Sequence, residues 1–220
     1  MKPDFETIKN SPEIRTYITQ ADASLLALGY TEHSFAHVTR CAQVAADLLS
    51  RLGYEDRQVE LARISGYMHD IGNVVNRVDH AQSGAVMAFR ILDKMGMAPE
   101  DVAVVVTAIG NHDEGTAYPV NAVAAALILA DKSDVRRSRV RNRATIRFDI
   151  HDRVNYAVER SDLKLDTDAK TLTLELTIDT EISSVMDYFE IFMNRMILCR
   201  KAAEYFGLEF RMTINGSAVL

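Results

Sequence analysis

The sequence predicts a mainly α protein: an all-helical bundle over residues 1–143, followed by a small α/β unit over 144–220. Three observations carry this reading. Apolar residues recur at helical spacing through the first two thirds of the chain, and Gly or Pro punctuates each stretch. Strict apolar–polar alternation, the mark of a half-buried strand, begins only near Leu163. One long helical stretch then separates the alternating segments from a last short one. A length of 220 residues suits one domain with a small appendage.

The elements follow in order. From Thr31 to Leu52 the stripe is Val38, Cys41, Ala42, Ala45, Leu48, Leu49 and Leu52, and Gly53 ends the helix. A second helix runs from about Asp56 to Asp70 and stops near Gly72. A third starts at Asp79, a residue type suited to capping, and runs to Met95 before Gly96. Pro99 opens a fourth, with Val102, Val105, Val106 and Ile109 as its stripe. Gly115 and Pro119 break the chain before a fifth helix, which carries Ala124, Leu127, Ile128 and Asp131 on one face. Beyond residue 144, Leu163 and Leu165 alternate with polar residues, as do Leu172, Leu174, Leu176 and Ile178, with a turn at Asp166 to Lys170. Ser184 to Phe206 reads as one long helix and Leu208 to Ile214 as a last strand. The sheet, of about three strands, is expected to pack its apolar face on that helix.

Composition excludes several classes. The net charge of -6 disfavours nucleic-acid polymers, because the summed field repels polyanions. Cys41 and Cys199 are too few for a disulfide framework and suit two buried thiols in a reducing cytoplasm. MKPDFETIKN has no apolar signal region, and the longest apolar run, VAAALILA at 123–130, is far short of a membrane span. A cytoplasmic protein without a membrane partner is expected.

The chemistry lies in polar residues placed on apolar faces. Asp131 extends the stripe of the fifth helix and aims a carboxylate at the core. His37 borders the stripe of the first, His69 and Asp70 end the second, His80 precedes Gly84 and Ala85, and His112 and Asp113 end the fourth. One such histidine is ordinarily a hydrogen-bonded core residue, and one such aspartate a cap. Four of the six histidines and three acids in this position, on successive helices, need a common explanation. Stripping water from lone charges costs several kcal/mol. A divalent metal answers that cost, and imidazole with carboxylate suits iron, manganese, zinc or nickel, with magnesium also in range. The lack of cysteine among these residues argues against a structural zinc site, and mixed O/N ligation leaves positions open to water or substrate.

The order His37, His69-Asp70, Asp131 resembles the signature of the HD superfamily of metal-dependent phosphohydrolases, over roughly residues 30 to 143. The resemblance implies an all-helical bundle in which His37, His69, Asp70 and Asp131 bind one metal. DHAQSGA at 79–85 and NHDEGTAYP at 111–119 are similar to segments of the binuclear branch, which includes HD-GYP proteins that hydrolyse cyclic dinucleotides. That similarity implies a second metal on His80 and His112, with Asp70 bridging and Asp113 as a ligand or support. The chain departs from the branch at Asp113, where a histidine is usual, at Ala117, where GYP has glycine, and at Asn73, where lysine often follows HDIG.

Lys132 to Arg147 holds seven basic residues and one acid, so the segment carries +6 and the remainder -12. Because the cluster begins directly after Asp131, Lys132, Arg136 and Arg137 are expected near substrate phosphates, where charge grows on oxygen. Arg139, Arg141, Arg143 and Arg147 read as structural. Asn73, Asn76, Arg77 and Asp113 are further substrate-binding candidates. The expected function is hydrolysis of a phosphoester of a nucleotide or similar small molecule by metal-activated water, with Asp70 at the chemical centre. The rivals are a cyclic dinucleotide phosphodiesterase, a metal- or nucleotide-binding regulatory module without turnover, and a di-iron oxygenase. The α/β unit carries no chemical motif and suits a packing or homodimer role.

Overall fold

A computed structural model describes residues 3–141, 146 and 148–219. Arg143 and Arg147 of the basic cluster lie outside the described residues. The chain divides into two compact units, Met1–Asp131 and Lys132–Leu220. That division falls before the 143/144 boundary expected from pattern, and local bonding explains it. The Ser161 hydroxyl donates to the carbonyl of Ser133 at 2.6 Å, and Arg137 Nε donates to the carbonyl of Tyr156 at 2.7 Å. The segment after Lys132 is therefore hydrogen-bonded into the α/β unit.

The first unit is helical throughout: α1 (Phe5–Lys9), α2 (Pro12–Ala27), α3 (Phe35–Arg51), α4 (Asp56–Met68), α5 (His80–Lys94), α6 (Pro99–Gly110) and α7 (Ala122–Lys132), with a 3-10 turn at Ile71–Val74. Starts follow local chemistry. Ser11 caps α2 ahead of Pro12, Ser34 caps α3, and Pro99 occupies the first turn of α6. The α5 start at Asp79 differs in kind from the expectation. Asp79 is left-handed, at φ 56°, and its side chain makes no capping bond. Residues 122–130 of α7 are buried on every side, as an uninterrupted apolar helix must be.

Two glycine contacts set the spacing that the site needs. A Cβ on Gly66 would lie 2.6 Å from the backbone nitrogen of Ala42, so α3 and α4 cross in direct backbone contact. A Cβ on Gly72 would lie 2.0 Å from the carbonyl oxygen of His80 and 2.4 Å from the nitrogen of Gly84. Gly72 is thus required by close approach of α5 to the turn after α4, beyond any role in ending the helix.

The second unit contains α8 (Ile150–Ala157), β1 (Val158–Asp166), β2 (Thr171–Ile178), α9 (Val185–Tyr205), β3 (Glu209–Ile214) and β4 (Ser217–Ala218). Strand order is β1-β2-β3-β4. β1 and β2 form an antiparallel hairpin with Leu163 opposite Leu174 and Leu165 opposite Leu172. β2 and β3 are parallel, and the crossover that parallel pairing demands is α9, which packs on β3. Ser184 and Asp187 close a reciprocal capping box at the start of α9. Among the described residues, no helix is long and apolar enough to cross a membrane.

Candidate metal centre

Three imidazoles are fixed by one repeated bond. His69 Nδ1 meets the carbonyl of Gly66 at 2.9 Å, His80 Nδ1 that of Arg77 at 3.0 Å, and His112 Nδ1 that of Ile109 at 2.6 Å. Each partner lies three residues earlier in the chain. A carbonyl only accepts, so each Nδ1 carries a proton, and each ring in its neutral form turns an Nε2 lone pair inward. Donating the second ring N–H to a backbone carbonyl is how metal-ligating histidines are ordinarily oriented. The rings form a chain of edge contacts: His33 to His37 at 5.4 Å, His37 to His69 at 5.2 Å, His69 to His112 at 4.9 Å, and His112 to His80 at 5.0 Å. Five of the six histidines are thereby gathered in one place.

The carboxylate of Asp70 spans this chain. Its Oδ2 lies 3.1 Å from His69 Nε2 and 3.5 Å from His37 Nε2, while its Oδ1 lies 3.7 Å from His80 Nε2 and 4.0 Å from His112 Nε2. Asp131 Oδ1 closes the first half at 3.3 Å from His37 Nε2 and 3.8 Å from His69 Nε2. Asp113 Oδ1 borders the second half at 3.9 Å from His80 Nε2. Burial opposes ionisation of Asp70, but charge on His69 and the polar contacts of His37 and His69 outweigh it and hold its carboxyl well below the usual range. The carboxylate therefore depends on positive charge on its imidazole side.

These residues fit a divalent ion. Ligand atoms each about 2.1 Å from one ion stand about 3–4 Å from one another, the spacing found in the first half. His69 Nε2 and Asp70 Oδ2 are buried and make no hydrogen bond of good geometry. In the second half, His80 Nε2 and His112 Nε2 face each other at 3.2 Å, close enough for one cation to take both lone pairs. Two sets satisfy a ligand-spacing test, His37, Cys41, His69 and Asp131, and His69, Asp70 and His112, each with donors within 4.8 Å. Cys41 is the weaker member of its set. Its sulfur is equidistant, at 3.7 Å, from both ring nitrogens of His37, which puts it alongside the imidazole and off the axis of the Nε2 lone pair.

The profile of the HD domain matches residues 34–190, well over half of the chain. The chain belongs to the HD-domain family. It stands, in general terms, among metal-dependent phosphohydrolases, with a His/Asp cluster that could hold a divalent metal. An uncharacterized protein of Methanocaldococcus jannaschii is 26% identical over 200 residues, spanning 80% of this chain and 76% of the relative. The crystal structure of a predicted HD superfamily hydrolase from an uncultured Thermotogales bacterium is 27% identical, covering 60% of this chain and 73% of that one at a TM-score of 0.44.

The remaining candidates of this HD domain separate into three groups. Asn73 is buried, and its amide donates to the Asp70 carbonyl and to Asp70 Oδ1, both at 3.0 Å. It holds the Asp70 carboxylate in place between the two halves of the cluster. Arg77 Nη1 lies 3.3 Å from His80 Nε2 and 3.4 Å from Asn73 Oδ1, with its guanidinium over the ring of Tyr30 at 5.6 Å. Asn76, on the same loop, is exposed and accepts from the Val78 amide at 2.9 Å. Lys132, Arg136 and Arg137 belong to the second unit. There Arg136 Nε meets Asp134 Oδ1 at 2.9 Å, Arg137 Nη2 lies 3.3 Å from Glu159 and 3.6 Å from Asp179, and Lys132 is buried. His33, which the sequence alone suits to a surface or hydrogen-bonded role, meets the Thr31 carbonyl through Nδ1 at 2.7 Å and also borders His37. Its spacing of four from His37 is the available signal, obscured because α3 begins only at Phe35.

Proposed function

We propose that this protein hydrolyses a phosphoester of a nucleotide or similar small phosphorylated molecule. The observation that supports this most is the single carboxylate of Asp70, shared between two sets of inward-facing imidazole lone pairs with a guanidinium at the edge of the second. His37, His69, Asp70 and Asp131 would hold one divalent ion, and His80, His112 and the other oxygen of Asp70 a second. A bound divalent ion lowers the pKa of a water toward neutrality and offsets charge on phosphoryl oxygens. The protein side of the reaction is positioning and charge. Backbone carbonyls hold the rings in the one tautomer that leaves Nε2 available. Asn73 fixes Asp70 so that both of its oxygens face ligands. Arg77, beside His80, would take a phosphate oxygen through its fixed fork of donors.

This places phosphate recognition on Arg77, with Asn76 on the same exposed loop, in preference to Arg136 and Arg137. The latter two are already neutralised by Asp134, Glu159 and Asp179. The test is turnover of nucleotides and simple phosphoesters by chelated protein reloaded with manganese, iron, nickel, zinc or magnesium. Activity is expected with at least one metal and is expected to vanish in His69→Ala. Retained activity in that variant, or none with any metal despite stoichiometric loading, overturns the proposal. Turnover of cyclic dinucleotides alone would move the substrate to that class.

A further inference from the structure

The long helix of the α/β unit has two apolar faces, and only one of them is covered. At about 100° per residue, Tyr188, Phe192, Met196, Cys199 and Ala203 fall on one side of α9, and all are buried. Met186, Met193 and Ile197 form a second stripe about a third of a turn round the helix and are 75%, 47% and 37% exposed. Half-buried Phe189 borders this second stripe. A helix that is apolar on both faces is expected to be covered on both, and contiguous exposed apolar surface marks an interaction site.

The charges flanking the stripe identify its partner. Exposed Glu190 and Lys201 lie on one edge, and exposed Arg200 lies on the other edge with Phe189. We infer that α9 is a self-association surface, on which a second copy of this chain packs its own α9 antiparallel across a twofold axis near Arg195. A twofold of this kind keeps each edge on its own side. Met193 then lies opposite Ile197 of the second copy, and Ile197 opposite Met193, so the apolar centre covers itself. Along one edge Glu190 meets Lys201 of the second copy, and the symmetry makes that ion pair twice. Along the other edge Phe189 meets Arg200 of the second copy, a pairing of cation with aromatic ring. The register that sets Met193 against Ile197 also sets Glu190 against Lys201, and it places Met186 opposite Glu204, which lies 3.9 Å from Arg200 of its own helix. A parallel twofold would carry each edge to the other and set Lys201 against Arg200 of the second copy, cation against cation. The inference concerns the α/β unit alone and does not depend on the hydrolase assignment.

The test is sedimentation velocity of the full chain over a concentration series, with circular dichroism to verify folding. The wild-type chain is expected to be a dimer. Met193→Asp, at a solvent-facing position, is expected to give a folded monomer. Glu190→Lys and Lys201→Glu should each weaken dimerisation about tenfold or more, because every change is counted twice. The double exchange Glu190→Lys/Lys201→Glu should restore it. A wild-type chain that remains monomeric at the highest concentration reached overturns the inference. A dimer that survives Met193→Asp overturns it as well, and a double exchange that fails to recover the dimer overturns the antiparallel register.

Discussion

Asp70 and Asp134 are both aspartates removed from solvent, and their surroundings assign them opposite roles. Asp134 sits between permanent cations: Arg136 Nε lies 2.9 Å from its Oδ1, Arg139 Nη1 lies 3.8 Å from its Oδ2, and the same guanidinium donates to its carbonyl at 2.7 Å. That charge is satisfied by the chain itself. Asp70 faces imidazoles with their Nδ1 protons already committed, so its shell becomes cationic only when a ring takes a second proton or an ion binds. A buried acid beside arginines is closed architecture, whereas a buried acid beside histidine lone pairs is an invitation to a cation.

The difference can be broken from both ends. Asp70→Asn should reduce activity to background, by about a thousandfold or more, equivalent to about 4 kcal/mol of barrier. It should do so with only a modest loss of metal-free stability, because the fold favours the ionised carboxylate but sets no permanent cation beside it. Activity assays and thermal unfolding in chelator measure the two halves, and a loss of metal-free stability as large as that of Asp134→Ala would count against the contrast. Asp134→Ala should do the reverse. It strands two guanidinium groups, costs about 3–5 kcal/mol in chemical denaturation, and leaves metal stoichiometry intact in the protein that remains folded.

A smaller effect is expected where backbone spacing replaces charge. Gly72→Ala inserts a methyl against the His80 carbonyl and Gly84, and should cost about 1–3 kcal/mol as overpacking does. Because that contact seats α5, metal binding at His80 and His112 should weaken more than binding at His37 and His69, which competitive chelator titration can separate. In the α/β unit, Ser184→Ala removes half of the capping box and should cost about 1 kcal/mol. The Ser184 and Ser183 hydroxyls hold the Asp187 carboxyl below its ordinary value. The stability this contributes is present above the unfolded carboxylate pKa and is lost as pH falls through the lower folded one. Carboxyl NMR should show the Asp187 titration move back up in Ser184→Ala, and an unmoved titration would remove the capping explanation.

How much of this was legible in the sequence depended on whether the signal was local. His37, His69, Asp70 and Asp131 stood out because each is a polar residue on an otherwise apolar stripe, and the stripe is a property of one helix. β1, β2 and α9 were legible for the same reason. Asn73 read as a lost lysine, while its actual partner is the neighbouring Asp70. The close approach of Gly72 to Gly84 joins positions in different elements, so no periodicity announces it. The basic cluster drew notice through its sequence proximity to Asp131. Glu159 and Asp179, which neutralise Arg137, are brought to it only by the hairpin. α8 was passed over because IHDRVNYA interrupts its apolar residues with charge, and β4 because it is two residues long.

The bonds from His69 to Gly66 and from His112 to Ile109 have a further consequence. The carbonyls they occupy belong to the last turns of α4 and α6, where a helix has acceptors with no intrahelical donor. One bond therefore serves as helix terminator and as ligand orienter at once. Truncating either histidine frays a helix end as well as emptying a ligand position, so alanine scanning here confounds two losses. Substitution by glutamine or asparagine, which can still donate to the carbonyl, is the way to separate them. The same economy means that these two rings are oriented from within their own helices, so an ion bound there would meet donors already aimed.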